Sequence, residues 1–287
     1  MALAIFTFAS PAALAAPISL TDDAGARLVL ARPAGRIVAL SPGIAELVFA
    51  AGAGDKLVGT SRFSDYPPAA RRVPRIGDAS RIDAERVLAL HPDLVIAWQT
   101  GNQAGDIARL RRLGLHLFVT EAARLSDIPR LLRAIGLLAG TAAAAEHTAH
   151  KFEAAIDALR RRYAGKPPVT VFYEIWRHPL ITVSNRQIIG NVIKLCGGVN
   201  VFGALPVLAP SVSIESVLAK APDAIIDVSS PDAGEAVAEW RRYPDIPAVR
   251  AGHVFTVNPD LVQRATPRLA EGARIICRDL DQVRAGH

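Results

Sequence analysis

The chain has 287 residues, of which 51 % are hydrophobic and 21 % charged, with a formal net charge of +6. That length corresponds to two domains at roughly 100–200 residues each, and the composition excludes a disordered chain. Two cysteines exclude a disulfide-dense miniprotein and a four-cysteine zinc site. The positive charge is nearly all arginine, since lysine occurs only at 56, 151, 166, 194 and 220. Aromatics are scarce at 6 % and do not alternate with the arginines as a stacking platform for RNA requires, so no nucleic-acid partner is expected.

Residues 1–16, MALAIFTFASPAALAA, are apolar and uncharged and contain the A-x-A pattern Ala13-Leu14-Ala15. Residues 1–15 read as an export signal cleaved before Ala16. No Lys or Arg precedes Arg27, so the usual positive start is missing: either the signal is truncated and its true start lies upstream, or the segment is a short hydrophobic strand or anchor. No later stretch reaches the 18 or so apolar residues of a membrane helix. Export would place the chain in an oxidising periplasm, where Cys196 and Cys277 could pair.

After the leader, Ile18-Ser-Leu-Thr and Arg27-Leu-Val-Leu flank Asp22-Asp23-Ala24-Gly25, a hairpin pattern. Arg36 to Leu40 is a buried-strand run broken by Ser41-Pro42-Gly43, and Ile44 to Ala51 reads as a helix ending at Gly52. Strand, polar loop and helix make half of a βαβ unit. Glu85-Arg-Val-Leu-Ala-Leu-His-Pro-Asp-Leu-Val-Ile96 aligns without gaps on Glu215-Ser-Val-Leu-Ala-Lys-Ala-Pro-Asp-Ala-Ile-Ile226, with seven of twelve positions identical. Each copy predicts a short helix, a Pro-Asp turn and an apolar strand. Looser echoes pair Glu46–Gly52 with Val192–Gly198 and Arg36–Leu40 with Val169–Tyr173. Two similar α/β lobes are therefore expected, over residues 16–140 and 166–287. Between them, 141–165 predicts one helix, N-capped by Thr141 and ended by Gly165-Lys-Pro-Pro168. Its 24 residues from Thr141 to Ala164 would form a stiff rod of roughly 36 Å.

The sequence lacks G-x-S-x-G, Walker A, H-E-x-x-H and C-x-x-C motifs. His147 and His150 lack surrounding ligands for a metal and read as solvated. An enzyme is not expected, and neither a catalytic residue nor a metal site is assigned. Several side chains instead follow predicted strands: Phe63 and Tyr66 after Leu57-Val-Gly, Trp98 after Leu94-Val-Ile-Ala, Trp176 after Val171-Phe-Tyr-Glu-Ile, and Asp260 and Arg264 after His253-Val-Phe-Thr-Val. Ligands of open parallel sheets sit beyond the carboxyl ends of the strands, so these segments are expected to line one cleft. Glu85 and Glu215 open the repeated helices, which the helix dipole alone explains. Their symmetric occurrence also fits two acidic knobs that dock on basic residues of a two-fold symmetric partner.

The ordered motifs Arg36-Ile-Val-Ala-Leu-Ser-Pro, Ser64-Asp-Tyr-Pro-Pro, Glu85…Ala97-Trp98, Cys196-Gly-Gly, Ser213-x-Glu215 and Arg264-Ala-Thr-Pro-Arg268 resemble the helical-backbone substrate-binding proteins of ABC importers, in particular their cobalamin-carrying branch. The resemblance runs from about residue 36 to about 280. It implies two Rossmann-like α/β lobes joined by a single long helix (a class III periplasmic binding protein). It further implies a cobalamin or related corrinoid as transported ligand rather than cofactor, and a monomer that docks through Glu85 and Glu215 on arginines of a permease dimer. It implies a Cys196–Cys277 disulfide and ligand contacts from Phe63, Trp98, Asp260 and Arg264; Ser41, Tyr66 and Trp176 join them as candidates. Ala79 and Ala209 stand where the cobalamin branch has tryptophans, so aromatic contact is thinner here. The same fold also carries haem and ferric siderophores; haem would use an axial Tyr66 or Tyr173.

Overall fold

The computed structural model describes residues 16–78, 81–228 and 233–286. The expected export segment and Ala79 lie outside the described residues. The hairpin β1 (Ile18–Thr21) and β2 (Arg27–Leu30) is antiparallel. Buried Asp22 holds its turn by accepting from the Ala24 and Ala26 N–H groups at 3.1 and 2.7 Å. The first lobe continues through β3 (Ile37–Ala39), α1 (Pro42–Ala50), β4 (Leu57–Thr60), β5 (Gly77–Asp78), β6 (Arg81–Ile82), α2 (Ala84–Ala89), β7 (Leu94–Trp98), α3 (Ala104–Arg112), β8 (Leu117–Thr120) and α4 (Asp127–Ala139). Helix α5 (Ala142–Tyr163) leads to the second lobe. That lobe contains β9 (Val169–Glu174), α6 (Ile188–Leu195), β10 (Gly198–Asn200), α7 (Ile214–Lys220), β11 (Ala224–Asp227), α8 (Ala233–Trp240), α9 (Pro247–Arg250), β12 (Val254–Thr256), α10 (Pro259–Val262) and α11 (Leu269–Ala285).

Each lobe is built on a four-stranded, all-parallel sheet, ordered β4-β3-β7-β8 in the first and β10-β9-β11-β12 in the second. In chain order both read second-first-third-fourth, and the internal repeat falls on the third strand and its preceding helix. The repeated Pro-Asp has a local task in both. Asp93 Oδ2 accepts from the Gly35 and Arg36 N–H groups at 2.8 and 2.9 Å, and Asp223 Oδ2 accepts from Thr170 N–H and Oγ1–H at 3.0 and 2.6 Å. The carboxylate thus ties the start of the third strand to the start of the first. Strands covered on both faces need continuous apolar runs, and Leu94 to Ala97 and Ala224 to Ile226 are fully buried.

Helix α5 spans 22 residues, roughly 33 Å at 1.5 Å per residue. It is packed rather than free-standing: Ala145, Ala149, Phe152, Ile156, Leu159 and Tyr163 are buried in a core shared by both lobes. Gly136 of α4 permits the close approach, since a Cβ there would lie 2.4 Å from Ala145 Cβ. Thr141 stands at the N-cap position, but its hydroxyl makes no capping hydrogen bond and is buried without a partner among the described residues, contrary to the sequence expectation. Thr141 has ψ 31° instead of the extended backbone from which a capping side chain reaches back to the first turn. His147 and His150 are exposed on α5, with His150 between Glu146 and Glu153 at 2.8 and 3.2 Å. Among the described residues no cluster of three or more His, Cys, Asp and Glu could hold a metal ion, and no helix is long and apolar enough to cross a membrane.

Candidate ligand-binding cleft

In a sheet ordered second-first-third-fourth, the strand order reverses between the first and third strands, and a crevice opens beyond their carboxyl ends. In the first lobe these are β3 and β7, which deliver Ser41 and Trp98. The Ser41 hydroxyl caps α1 by accepting from the Ile44 N–H at 3.3 Å. Asn102 bridges the two strand ends, accepting from Trp98 N–H at 2.7 Å and donating to Leu40 O at 3.0 Å. Trp98 lies over Gly101, where a Cβ would come within 1.8 Å of its ring. Glu121 completes the hold by accepting from Trp98 Nε1–H at 3.4 Å and Thr100 N–H at 3.1 Å. The indole is therefore fixed by its neighbours while remaining 39 % exposed. Nothing in the sequence around Asn102 or Glu121 announces this support.

The matching crevice of the second lobe is filled. Glu174 and Asp227, at the ends of β9 and β11, are fully buried and share Arg177. Arg177 lies 2.8 Å from Asp227 Oδ2 and 5.0 Å from the Trp240 ring centroid, and Trp240 Nε1–H donates to Glu174 Oε2 at 2.8 Å. Burial first, and then the charge of Asp227, push the Glu174 carboxyl up to about 7 against the pull of Arg177 and Trp240.

The second lobe instead faces Trp98 with the start of α6 and the segment around α10. A cavity of about 760 Å³ lies between the lobes. Ser41, Trp98, Asp260 and Arg264 line it, together with Arg186, Gln187, Leu208 and Ala209. Its inner wall is apolar, formed by Ile44, Leu47, Leu131 and Ile188. Phe63, Tyr66 and Trp176 are not part of the lining; they are 70 %, 44 % and 56 % exposed. Phe63 has φ +64°, and its carbonyl accepts from Arg264 Nη2 at 3.2 Å. Tyr66 lies under the Arg268 guanidinium, 4.0 Å from its ring centroid. Trp176 Nε1–H donates to His178 O at 2.9 Å. Tyr173 is completely buried in central strand β9, with its hydroxyl unpartnered among the described residues and its pKa pushed upward by burial. It cannot reach a bound haem, so its expected role as an axial ligand is withdrawn.

Arg264 is the polar centre of the cleft edge. Its Nη1 lies 2.6 Å from Glu46 Oε1 and 3.0 Å from Asp65 Oδ1, and its Nη2 lies 2.8 Å from Asp260 Oδ1. Burial pushes Asp65 up, but the Arg264 hydrogen bond and charge outweigh it and hold the carboxyl below its ordinary value. Burial dominates at Glu46, which stays above its ordinary value despite Arg264 and Arg268. Glu46 was not among the sequence candidates; its signal was a lone carboxylate in the otherwise apolar helix α1.

Glu85 and Glu215 are exposed in the first turns of α2 and α7, behind the side-chain caps of Asp83 and Ser213. A backbone N–H and the Ser213 hydroxyl hold the Glu215 carboxyl below its ordinary value. Cys196 and Cys277 form a disulfide, both residues fully buried, linking the end of α6 to α11.

A family model for periplasmic binding proteins matches residues 37–261. The chain belongs to the periplasmic binding protein family. A vitamin B12-binding protein of Vibrio cholerae serotype O1 is 34 % identical over 273 residues, covering 95 % of this chain and 93 % of that protein. The crystal structure of a periplasmic vitamin B12-binding protein of Vibrio cholerae superposes with a TM-score of 0.82 at 35 % identity, over 88 % of this chain and 98 % of the other. A periplasmic heme-binding protein from Roseiflexus sp. RS-1 shares the fold at 25 % identity with a TM-score of 0.76, over 86 % of this chain and 98 % of the other. These relatives of the chain are binding proteins.

Proposed function

We propose that this chain is an exported, periplasmic substrate-binding protein that captures cobalamin or a related corrinoid between its lobes and delivers it to the permease dimer of an ABC importer. It acts as a monomer, without a cofactor and without chemical conversion of its cargo. The lobes are assigned to residues 16–140 and 166–287, with 141–165 as the connection and 1–15 as the removed signal. The observation that carries this reading is the preformed cavity with Trp98 fixed at its mouth. A corrinoid is a rigid, largely apolar disc with an amide-bearing rim, and binding to a preformed apolar cavity avoids much of the ordering cost. The cavity falls within the roughly 300–1,000 Å³ of sites for drug-sized ligands, so a corrinoid would protrude from it. Phe63, Tyr66 and Trp176 stand exposed to meet the protruding part, while Ser41, Asp260 and Arg264 face the buried part. Glu85 and Glu215 are the docking carboxylates.

Calorimetry with cyanocobalamin, haemin and a ferric hydroxamate tests the assignment. Cyanocobalamin binds, and Trp98→Ala weakens it about tenfold, the loss of one large aromatic contact of about 1.4 kcal/mol. Absence of heat and of retained colour with every cobalamin overturns the reading. Tight haemin binding instead moves the chain to the haem carriers.

A further inference from the structure

Glu46 is a carboxylate where α1 has no place for one. Its neighbours Ile44, Ala45, Leu47 and Val48 are buried, and Glu46 itself is only 3 % exposed. An isolated charge at that depth is costly unless it is paired. Its partners come from the other lobe: Arg264 Nη1 at 2.6 Å and Arg268 Nη1 at 3.4 Å, 218 and 222 residues further along the chain. The Thr266 hydroxyl, also from the second lobe, interacts with the same buried carboxylate, so every group that Glu46 pairs with lies across the lobe boundary.

Arg264 is correspondingly committed. A guanidinium has five N–H donors, four of them on the Nη atoms. Those two atoms already face Glu46, Asp65 and Phe63 O in the first lobe, and Asp260 in its own. Among the described residues only Nε–H has no such partner. Arg264 lines the cavity, yet its charge is directed across the lobe boundary. Arg268 also reaches across the boundary, stacking on Tyr66 while approaching Glu46. Besides α5 and the apolar core packed on it, ion pairs at the cleft edge thus join the lobes.

We infer that Glu46 is a positioning residue: by holding Arg264 and Arg268 across the lobe boundary, it sets the width of the cleft in which the ligand sits. This rests on reading that cleft as the ligand site, and it moves Arg264 from ligand donor to latch. Loss of the Glu46 charge frees two guanidiniums from their shared anchor and lets the lobe spacing vary.

The test measures lobe spacing without ligand. Spin labels at Arg112→Cys and Lys220→Cys, both exposed and one on each lobe, report the distance distribution by pulsed dipolar spectroscopy. Glu46→Gln keeps the shape and removes the charge. Its distribution is expected to be about twofold broader than wild type, with cyanocobalamin binding about tenfold weaker through lost preorganisation. Asp65→Asn, at a half-exposed carboxylate, should fold even if Glu46→Gln does not, and should broaden the distribution to a smaller extent. Distributions as narrow as wild type in every variant that folds overturn the latch, and narrow distributions with lost cyanocobalamin binding show Arg264 acting on the ligand directly. Because spacing is read without ligand, failure of cyanocobalamin to bind the wild type would overturn the cargo assignment and leave the latch measurement valid.

Discussion

Replacing Cys196 and Cys277 together by alanine removes a cross-link that lies wholly within the second lobe. The bridged residues are 81 apart. On the chain-entropy account a loop of that length restricts the unfolded chain by about 4.5 kcal/mol at 25 °C. Both residues are fully buried, so each substitution also leaves a small void that adds to the loss. If the whole chain unfolds as one unit, an unfolding entropy of about 2.1 cal/mol/K per residue turns 4.5 kcal/mol into a fall of about 8 °C. If the second lobe unfolds alone, its roughly 120 residues turn the same loss into about 18 °C. Differential scanning calorimetry of the double variant distinguishes these cases, because the bridge cannot lower a separate first-lobe transition. A loss below about 1 kcal/mol would refute the entropic reasoning, and a shift confined to the first lobe would refute the assignment of the bridge to the second.

Two further outcomes follow from buried and exposed carboxylates. Burial raises Glu174 to about 7 from an ordinary value of 4.5, so the folded state holds that proton more tightly than the unfolded chain. Its penalty is absent below about 4.5 and grows as pH rises through 7, to about 3 kcal/mol. Urea unfolding at pH 5 and 8 should show this fall in the wild type and a flatter dependence in Glu174→Gln; an unchanged slope in the variant rejects the cause. For docking, Glu85→Lys combined with Glu215→Lys should cut corrinoid uptake by about tenfold or more through like-charge repulsion, with cyanocobalamin affinity as in wild type. Uptake at the wild-type rate would remove both carboxylates from the docking role.

The features legible in the sequence are those whose causes are local. Pro92-Asp93 and Pro222-Asp223 announce the repeat because proline stops the helix and aspartate ties the next strand to its neighbour. Trp98 is legible because it follows a run buried on both faces. The same rule places Trp176 after β9, but it cannot reveal that Glu174, Asp227 and Arg177 fill the crevice there. That filling depends on Trp240, which lies 66 residues beyond Glu174. Tyr173 looked available because a sequence does not show which strand is central. Glu46 and Asn102 are illegible in the sequence for a related reason: their partners lie 218 and 62 residues away, beyond any motif.

Helix α5 gives the molecule a particular kinetic character. Its apolar stripe is embedded in the core of both lobes and ion pairs brace the cleft edge, so the two together leave the joint few soft torsions with which to swing one lobe over the other. A binding protein built this way captures cargo without a closing lid, and its residence time reflects contacts in the cleft rather than the rate of a gate. Release then needs work from outside. A transporter that grips the two lobes separately can supply that work, by straining a joint that thermal motion alone seldom bends.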